Sequence, residues 1–265
     1  MVKPALQLRR MARVAGFLGV TSALLPAYAL RDQLAADAER DALRDRWTRR
    51  WADGLMRVFG IELVVLGDAG HATQGPGARR GRLVVANHRG VVDVMILLRS
   101  FGGFMVSRAD LSGWPLVGAA ARRTGTIFVD RQSKSSGAHT IRAIREQLTV
   151  GHTVNVFPEG TTFAGDEVRP FHAGAFLAAA NQDVDVVPVG IAYSRNSQAA
   201  FVEETFPQHL ARMSVADRST VVMAVGPPIS GKTERKAASL AERTRDAVRE
   251  QVARARAHAD DLDAG

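Results

Sequence analysis

The chain has 265 residues, enough to bury a full core in one domain without requiring a second. Its formal charge of +8 predicts an anionic partner, although the excess is almost all arginine, as an arginine-biased genome would also produce. The sequence contains no cysteine, which excludes disulfides, thiolate zinc sites and a cysteine nucleophile. No basic motif interleaved with aromatic residues is present, so we expect no nucleic-acid partner.

The first 59 residues are predicted to form a helical, membrane-associated region. Residues 14–30 carry no charge, close to the roughly 17 to 25 residues of a spanning helix, but Gly16, Gly19 and Pro26 weaken that pattern. Arginines flank the segment on both sides and give no orientation, so a shallow anchor or a short hairpin fits better than a single span. From Asp32 to Phe59 the pattern is helical, and its tryptophan stripe is equally compatible with the lipid headgroup layer or with packing on the domain.

The remainder alternates between predicted strands and helices. We expect strands over 61–66, 83–86, 103–106, 126–129, 153–157, 184–192 and 220–225, the last strand of the chain. We expect helices over 94–98, 114–123, 136–150, 174–181 and 233–258, the last with a solvated arginine-rich face. This order predicts a single α/β domain with a mostly parallel central sheet flanked by helices, in which catalytic loops gather at one strand edge.

A candidate catalytic pair follows the strand at 83–86. His88 and Asp93 would lie about 140° apart on an unbroken helix, so direct contact requires a turn, which Gly90 can supply. Asp93 would then orient the imidazole while the other ring nitrogen of His88 accepts a proton. Alone, such a pair is better explained as a histidine and a carboxylate that cap a helix. The other histidines have no metal-ligand spacing, and we expect no metal.

Three further motifs follow in order at domain-scale spacing: residues 125–131 (GTIFVDR), 157–162 (FPEGTT) and 187–190 (VPVG). With Asn87-His88-x4-Asp93 they resemble the four motifs of the glycerolipid (lysophospholipid) acyltransferase family. The resemblance covers residues 61–228. It implies an O-acyltransferase that moves a fatty acyl group from acyl-CoA or acyl carrier protein to the free hydroxyl of a lysolipid, with no other cofactor.

The resemblance also implies site roles. His88 would be the general base and Asp93 its orienting carboxylate. Residues expected to bind the substrate are Asn87, Arg131, Glu159, Gly160, Thr161, Thr162 and Arg169. Asn87 has a structural cap as its alternative, and Arg131 a structural turn with Asp130.

This sequence departs from the family pattern at two expected cations. Thr162 stands where the family usually has arginine, and His172 where it usually has lysine. By family frequency the acceptor would be 1-acyl-sn-glycerol-3-phosphate, with Arg131 or Arg169 binding the phosphate. The alternative is a lyso-ornithine lipid, because the Pro-Glu-Gly-Thr-Thr form is similar to lyso-ornithine lipid acyltransferases. A third possibility is a non-catalytic lipid-binding relative.

The predicted organisation has three parts: a membrane-associated region (1–59), a catalytic domain (60–230) and a basic C-terminal helix (231–265). Gly90 stands where the family usually has serine, which removes a hydroxyl beside the base. Because acyl-CoA and acyl carrier protein are cytosolic, the resemblance implies a location at the cytoplasmic face of the inner membrane. It also argues against a signal-peptide cleavage site at residues 27–29.

Overall fold

The computed structural model describes residues 4–68, 80–114, 116–130 and 134–264. Its helices are Pro4–Leu34 (α1), Asp37–Phe59 (α2), Val91–Phe101 (α3), Val117–Arg123 (α4), Lys134–Thr149 (α5), Phe176–Ala179 (α6), Phe206–Val215 (α7) and Ala237–Ala264 (α8). Its strands are Ile61–Leu66 (β1), Gly81–Ala86 (β2), Phe104–Arg108 (β3), Ile127–Val129 (β4), Thr153–Val156 (β5), Val184–Tyr193 (β6), Ser219–Val225 (β7) and Ile229–Ser230 (β8).

The strands form one sheet in the order β1-β7-β6-β2-β5-β3-β4, with β8 paired to β6. Within the run β6-β2-β5-β3-β4 each strand is parallel to the next, as the alternating pattern predicts. However, β7 runs antiparallel to β6, and β1 is parallel to β7. The amino ends of β1 and β7 therefore lie at the same sheet edge as the carboxyl end of β2.

Both faces of the sheet are covered, which explains the uninterrupted apolar run of β2. Its side chains alternate between the two faces, so Val84 and Ala86 join a core with α2 and α3. Leu83 and Val85 join a second core with α5, α6 and α8. All four side chains are fully buried. The result is a three-layer arrangement with β2 near its centre.

The N-terminal helices pack on this core and on each other. Helix α1 continues through Pro26, so the short hairpin considered for residues 14–30 is not formed. Gly16 and Gly54 make close α1–α2 packing possible, since a Cβ at either would lie 3.0–3.1 Å from a valine methyl of the other helix. The indole of Trp51 donates to the hydroxyl of Thr21 at 3.1 Å. The tryptophan stripe of α2 thus faces α1 and the core, which resolves the two interpretations in favour of packing.

The outward face of α1 remains apolar and exposed. Among the described residues, α1 is the one helix that is long and apolar enough to cross a membrane. The core helix of a soluble protein or a signal sequence can have the same length and composition. Leu8, Met11, Val14 and Leu18 recur along one exposed stripe, opposite the face that packs on α2. The helix could therefore anchor the protein to a membrane.

Several predicted boundaries need correction. The helix predicted from Asp32 begins at Asp37, and the one predicted over 174–181 is the single turn of α6. The prediction for 220–225 as the last strand is wrong, because β8 follows it. Helix α7 was not predicted, and its readable signal is a capping box in which Thr205 and Gln208 bond to each other.

Candidate active site

The candidate site is built where β2 and β5 end. The two strands are parallel neighbours, so the turn after Ala86 and the loop after Val156 lie side by side. The His88 ring stacks on the Phe157 ring with centroids 4.0 Å apart and planes 9° from parallel. The backbone N–H of Phe163 donates to the His88 carbonyl at 3.3 Å. Sheet pairing therefore brings the first and third sequence motifs into direct contact.

The turn at Gly90 joins His88 to Asp93. Gly90 is the N-cap of α3, and Asp93 occupies the third helical position, from which its carboxylate reaches back over the turn. His88 Nδ1 lies 2.9 Å from Asp93 Oδ2. A carboxylate only accepts, so Nδ1 carries the proton and Nε2 retains the lone pair. The histidine side chain is 18% exposed and the aspartate side chain fully buried, which leaves the base accessible and its partner shielded.

Four donors surround the Asp93 carboxylate. Besides His88, the backbone N–H groups of Arg89 and Gly90 donate to Oδ2 at 2.5 and 2.8 Å. The Tyr193 hydroxyl donates to Oδ1 at 2.6 Å. Burial and the adjacent Asp93 charge raise the pKa of Tyr193 well above its ordinary value, so the phenol remains a donor at neutral pH. The carboxylate is satisfied on both oxygens and held in one orientation.

Glu159 links the two loops from beneath the site. Its Oε1 accepts from the backbone N–H of His88 at 3.3 Å, and the carboxylate also accepts from the backbone N–H of Arg169. Burial raises the pKa of Glu159 to about 7, against the lowering effect of these two bonds. The side chain is only 5% exposed. Its contacts support a role in holding the His88 turn against the loop after β5.

A partly buried ion-pair network ties this loop to the C-terminal helix. The Arg89 guanidinium contacts Asp166, whose other oxygen accepts from Arg256 of α8 at 2.7 Å. Burial lowers the pKa of Arg89, with the nearby Asp93 charge opposing that effect. Sequence reasoning assigned no role to Arg89, Asp166 or Tyr193, because their contacts join segments far apart in the chain.

Asn87 is committed to the sheet. Its side-chain Nδ2 donates to the Ile191 carbonyl at 2.9 Å, and its Oδ1 accepts from the Ile191 N–H at 2.8 Å. The residue is 2% exposed. This contact is structural, but it joins Asn87 to β6 and is neither the predicted cap of the turn nor the predicted substrate contact.

The other predicted acceptor-binding residues lie in the loop after β5. Gly160 is buried with a φ of +89°, a conformation that favours glycine. Thr161 is exposed and Thr162 half-buried. The Arg169 guanidinium lies over the Phe163 ring, 5.2 Å from its centroid. These residues form one surface beside His88, on which acceptor contacts remain a prediction.

Two sequence expectations concern cations and metals. Arg131 lies outside the described residues. Of the two arginines proposed to bind a phosphate, Arg169 is thus the one within the described residues. It forms an ion pair with Glu167 at 3.2 Å. In the part of the chain that the structure describes, no group of three or more His, Asp or Glu side chains is arranged to hold a metal ion.

Comparisons with known proteins agree with the motifs and the fold. A model of the acyltransferase family matches residues 72–192. Lyso-ornithine lipid O-acyltransferase of Pseudomonas aeruginosa is 33% identical over 247 residues, which is 91% of this chain and 92% of that protein. The 1-acyl-sn-glycerol-3-phosphate acyltransferase of Neisseria gonorrhoeae is 26% identical over 151 residues, 55% of this chain and 59% of that protein.

A solved structure has the same fold. The crystal structure of the 1-acyl-sn-glycerophosphate acyltransferase from Thermotoga maritima superimposes with a TM-score of 0.71 at 19% identity. The match covers 94% of this chain and 97% of that one. The predicted α/β architecture, with a mostly parallel sheet flanked by helices, is therefore confirmed.

Proposed function

Because this chain belongs to the acyltransferase family that includes lyso-ornithine lipid and 1-acylglycerol-3-phosphate acyltransferases, we propose that it acylates the free hydroxyl of a lyso-ornithine lipid from an acyl thioester. The observation that carries the chemistry is the 2.9 Å contact between His88 Nδ1 and Asp93. Neither a metal nor a covalent enzyme intermediate is required, since a thioester is already activated. Acyl-CoA and acyl carrier protein are both suitable donors.

In the proposed reaction His88 Nε2 takes the proton of the acceptor hydroxyl as its oxygen attacks the thioester carbonyl. The imidazolium that forms lies against the Asp93 carboxylate, which stabilises the positive charge. Collapse of the tetrahedral intermediate breaks the carbon–sulfur bond, and the departing thiolate takes the proton back from Nε2. The products are an ester and a free thiol, and the base returns to its starting state.

The ornithine acceptor is favoured over the phosphate acceptor by two observations. The Pseudomonas relative aligns over nine-tenths of both chains, whereas the Neisseria relative aligns over little more than half. Thr162 and His172 also replace the two cations usual for a phosphate. An ornithine headgroup carries no phosphate and does not need them. The second candidate, 1-acyl-sn-glycerol-3-phosphate, is supported by Arg169, whose half-exposed guanidinium lies over the ring of Phe163, a residue that bonds to the His88 carbonyl.

The lipid substrate also accounts for the exposed apolar stripe of α1. A lysolipid acceptor resides in the membrane, and the donors are cytosolic. We therefore place the protein at the cytoplasmic face of the inner membrane, with α1 in contact with the bilayer. The three-part organisation of residues 1–59, 60–230 and 231–265 stays part of this proposal.

The test is acyl transfer by the purified full-length protein to lyso-ornithine lipid and to 1-acyl-sn-glycerol-3-phosphate, from each labelled donor. We expect preference for lyso-ornithine lipid and a loss of about 10²- to 10⁴-fold in His88→Ala, the usual contribution of a general base. His139→Ala is the matched control, because His139 is an exposed histidine on α5. Transfer that survives in His88→Ala would contradict the mechanism. A preference for the phosphate acceptor would instead overturn only the acceptor assignment.

A further inference from the structure

A polar cavity open to the surface lies away from the His88–Asp93 pair. It has a volume of about 560 Å³ and is lined by four arginines and one aspartate, together with Val58 and Gly60: Arg9, Arg13, Arg57, Arg218 and Asp217. Its walls come from α1, the end of α2 and the residues just before β1 and β7. We propose that this cavity binds the phosphate of an anionic phospholipid headgroup in the bilayer surface, separately from the acyl acceptor.

The buried member of the cluster is Arg13. It is 8% exposed and donates to the Met213 carbonyl at 2.7 Å. Among the described acidic residues, none forms an ion pair with it. Gly60 lets the guanidinium approach closely, because a Cβ there would lie 3.1 Å from Arg13 Nη2. Burial and the neighbouring Arg9 charge lower the pKa of Arg13, against the raising effect of the Asp217 charge. A buried cation beside a like charge is stabilised by an anion placed in the cavity.

The other three arginines form ion pairs that a phosphate can replace. Arg9 pairs with Asp217, Arg57 with Asp53 at 2.7 Å, and Arg218 with Glu62 at 3.1 Å. The Arg57 and Arg218 side chains are 81% and 83% exposed. Exposed pairs of this kind contribute little stability, so exchange of a carboxylate for a phosphate costs little. Guanidinium groups bind phosphate oxygens in bidentate geometry.

The position of the cavity favours a lipid over a soluble anion. The amino ends of β1 and β7 lie at the same sheet edge as the catalytic turn, with β7 two strand spacings, about 10 Å, from β2. Arg9 and Arg13 come from the same turns of α1 as the exposed Leu8, Met11 and Val14, on the other side of the helix, so the cavity and the apolar stripe lie at the same height along α1. Acyl chains along this apolar stripe would leave their headgroup at the level of the cavity. A soluble anion would make no contact with the apolar stripe of α1.

The experiment measures vesicle binding by purified full-length protein, a readout independent of acyl transfer and of the acceptor. Phosphatidylglycerol-containing vesicles are compared with pure phosphatidylcholine vesicles, using wild type and the double variant Arg57→Gln/Arg218→Gln. Each arginine near an anionic membrane surface adds to the free energy of binding. We expect the loss of two arginines to weaken binding to the anionic vesicles about 30-fold. The matched control is Arg243→Gln/Arg249→Gln on α8, which removes two exposed arginines that each pair with one carboxylate. We expect it to change binding by less than about threefold.

A second measurement separates the lipid from a soluble source of the same chemistry. Inorganic phosphate is added to wild type without vesicles, and the shift in Tm is recorded. The proposal predicts the vesicle effect together with little thermal shift. Equal losses in the two double variants, or equal binding to both vesicle types, would overturn the proposed site. Stabilisation by phosphate alone, with vesicle binding unchanged in Arg57→Gln/Arg218→Gln, would assign the cavity to a soluble anion instead.

Discussion

Tyr193 gives the sharpest test of how the catalytic pair is supported. Its hydroxyl donates to Asp93 Oδ1 at 2.6 Å, and both side chains are buried. Tyr193→Phe removes that donor and little else, so one oxygen of a buried carboxylate loses a hydrogen bond. Hydrogen bonds to charged groups contribute about 1.5 to 3 kcal/mol, and we expect the free energy of unfolding to fall by that amount.

Tyr193→Phe should lower the rate of acyl transfer much less than it lowers the stability of the fold. The three donors on Oδ2, including His88, remain in place, so the bond is lost equally in the ground state and the transition state. We expect kcat/KM to fall by less than about tenfold. Asp93→Asn is the comparison. A carboxamide has one acceptor oxygen where the carboxylate has two, and the equivalent change in a Ser-His-Asp triad lowers kcat about 10⁴-fold.

The assay pairs urea unfolding with steady-state acyl transfer for wild type, Tyr193→Phe and Asp93→Asn. A stability loss in Tyr193→Phe below about 0.5 kcal/mol, the range of ordinary surface substitutions, would mean that the Tyr193–Asp93 bond does not form. A kinetic loss as deep as that of Asp93→Asn would mean that the phenol takes part in the chemistry.

Two further predictions concern residues beside the catalytic turn. The pKa of Glu159 is raised from 4.5 to about 7, so its contribution to stability is present below pH 4.5 and is lost as the pH rises through 7. Urea unfolding should show wild type losing about 2 to 3 kcal/mol relative to Glu159→Gln between pH 5 and 8, and parallel pH profiles would contradict the raised pKa. Gly90→Ala should cost about 1 to 3 kcal/mol and reduce acyl transfer, because its Cβ would lie 2.9 Å from the Ala199 carbonyl. Gly174→Ala, which meets nothing within 4 Å, is the control, and equal Tm values for the two variants would show that the 199–201 segment yields freely.

The sequence predicted the centre of the molecule better than its edges. The run 83–86 has no polar residue because both faces of β2 are covered, so its strand was recognisable without a partner. Gly90 marked the turn, since no continuous helix brings His88 to Asp93. The signals were local in both cases, which is why strand, turn and pair all follow from a dozen residues.

Tyr193 was missed for the opposite reason. The predicted strand ended at Ala192, and a tyrosine following an apolar run is an ordinary strand residue. Its contact with Asp93 spans 100 residues and depends on β6 pairing with β2 in one register. The direction of β7 was likewise hidden, because the reversal is made by residues 194–218, and the helix α7 within them was not predicted.

The N-terminal region shows how packing decides between patterns that are equal in sequence. Arginines on both sides of 14–30 suggested a hairpin, yet the glycines that weakened a spanning helix are contact points with α2. One face of α1 is used by that packing, and the other keeps its apolar side chains exposed. The apolar residues of α1 therefore serve two surfaces: one packs on α2, and the other is exposed in the structure.

The arrangement of the sheet edge connects these features to the reaction. Reversal of β7 and β1 brings their amino ends, the arginine cavity and α1 to the edge where β2 delivers His88. A sheet with every strand parallel would place those ends on the opposite edge, away from the base. The antiparallel pairing of β6 and β7, which the alternating pattern did not predict, therefore brings the arginine cavity and the His88 turn to one edge of the sheet.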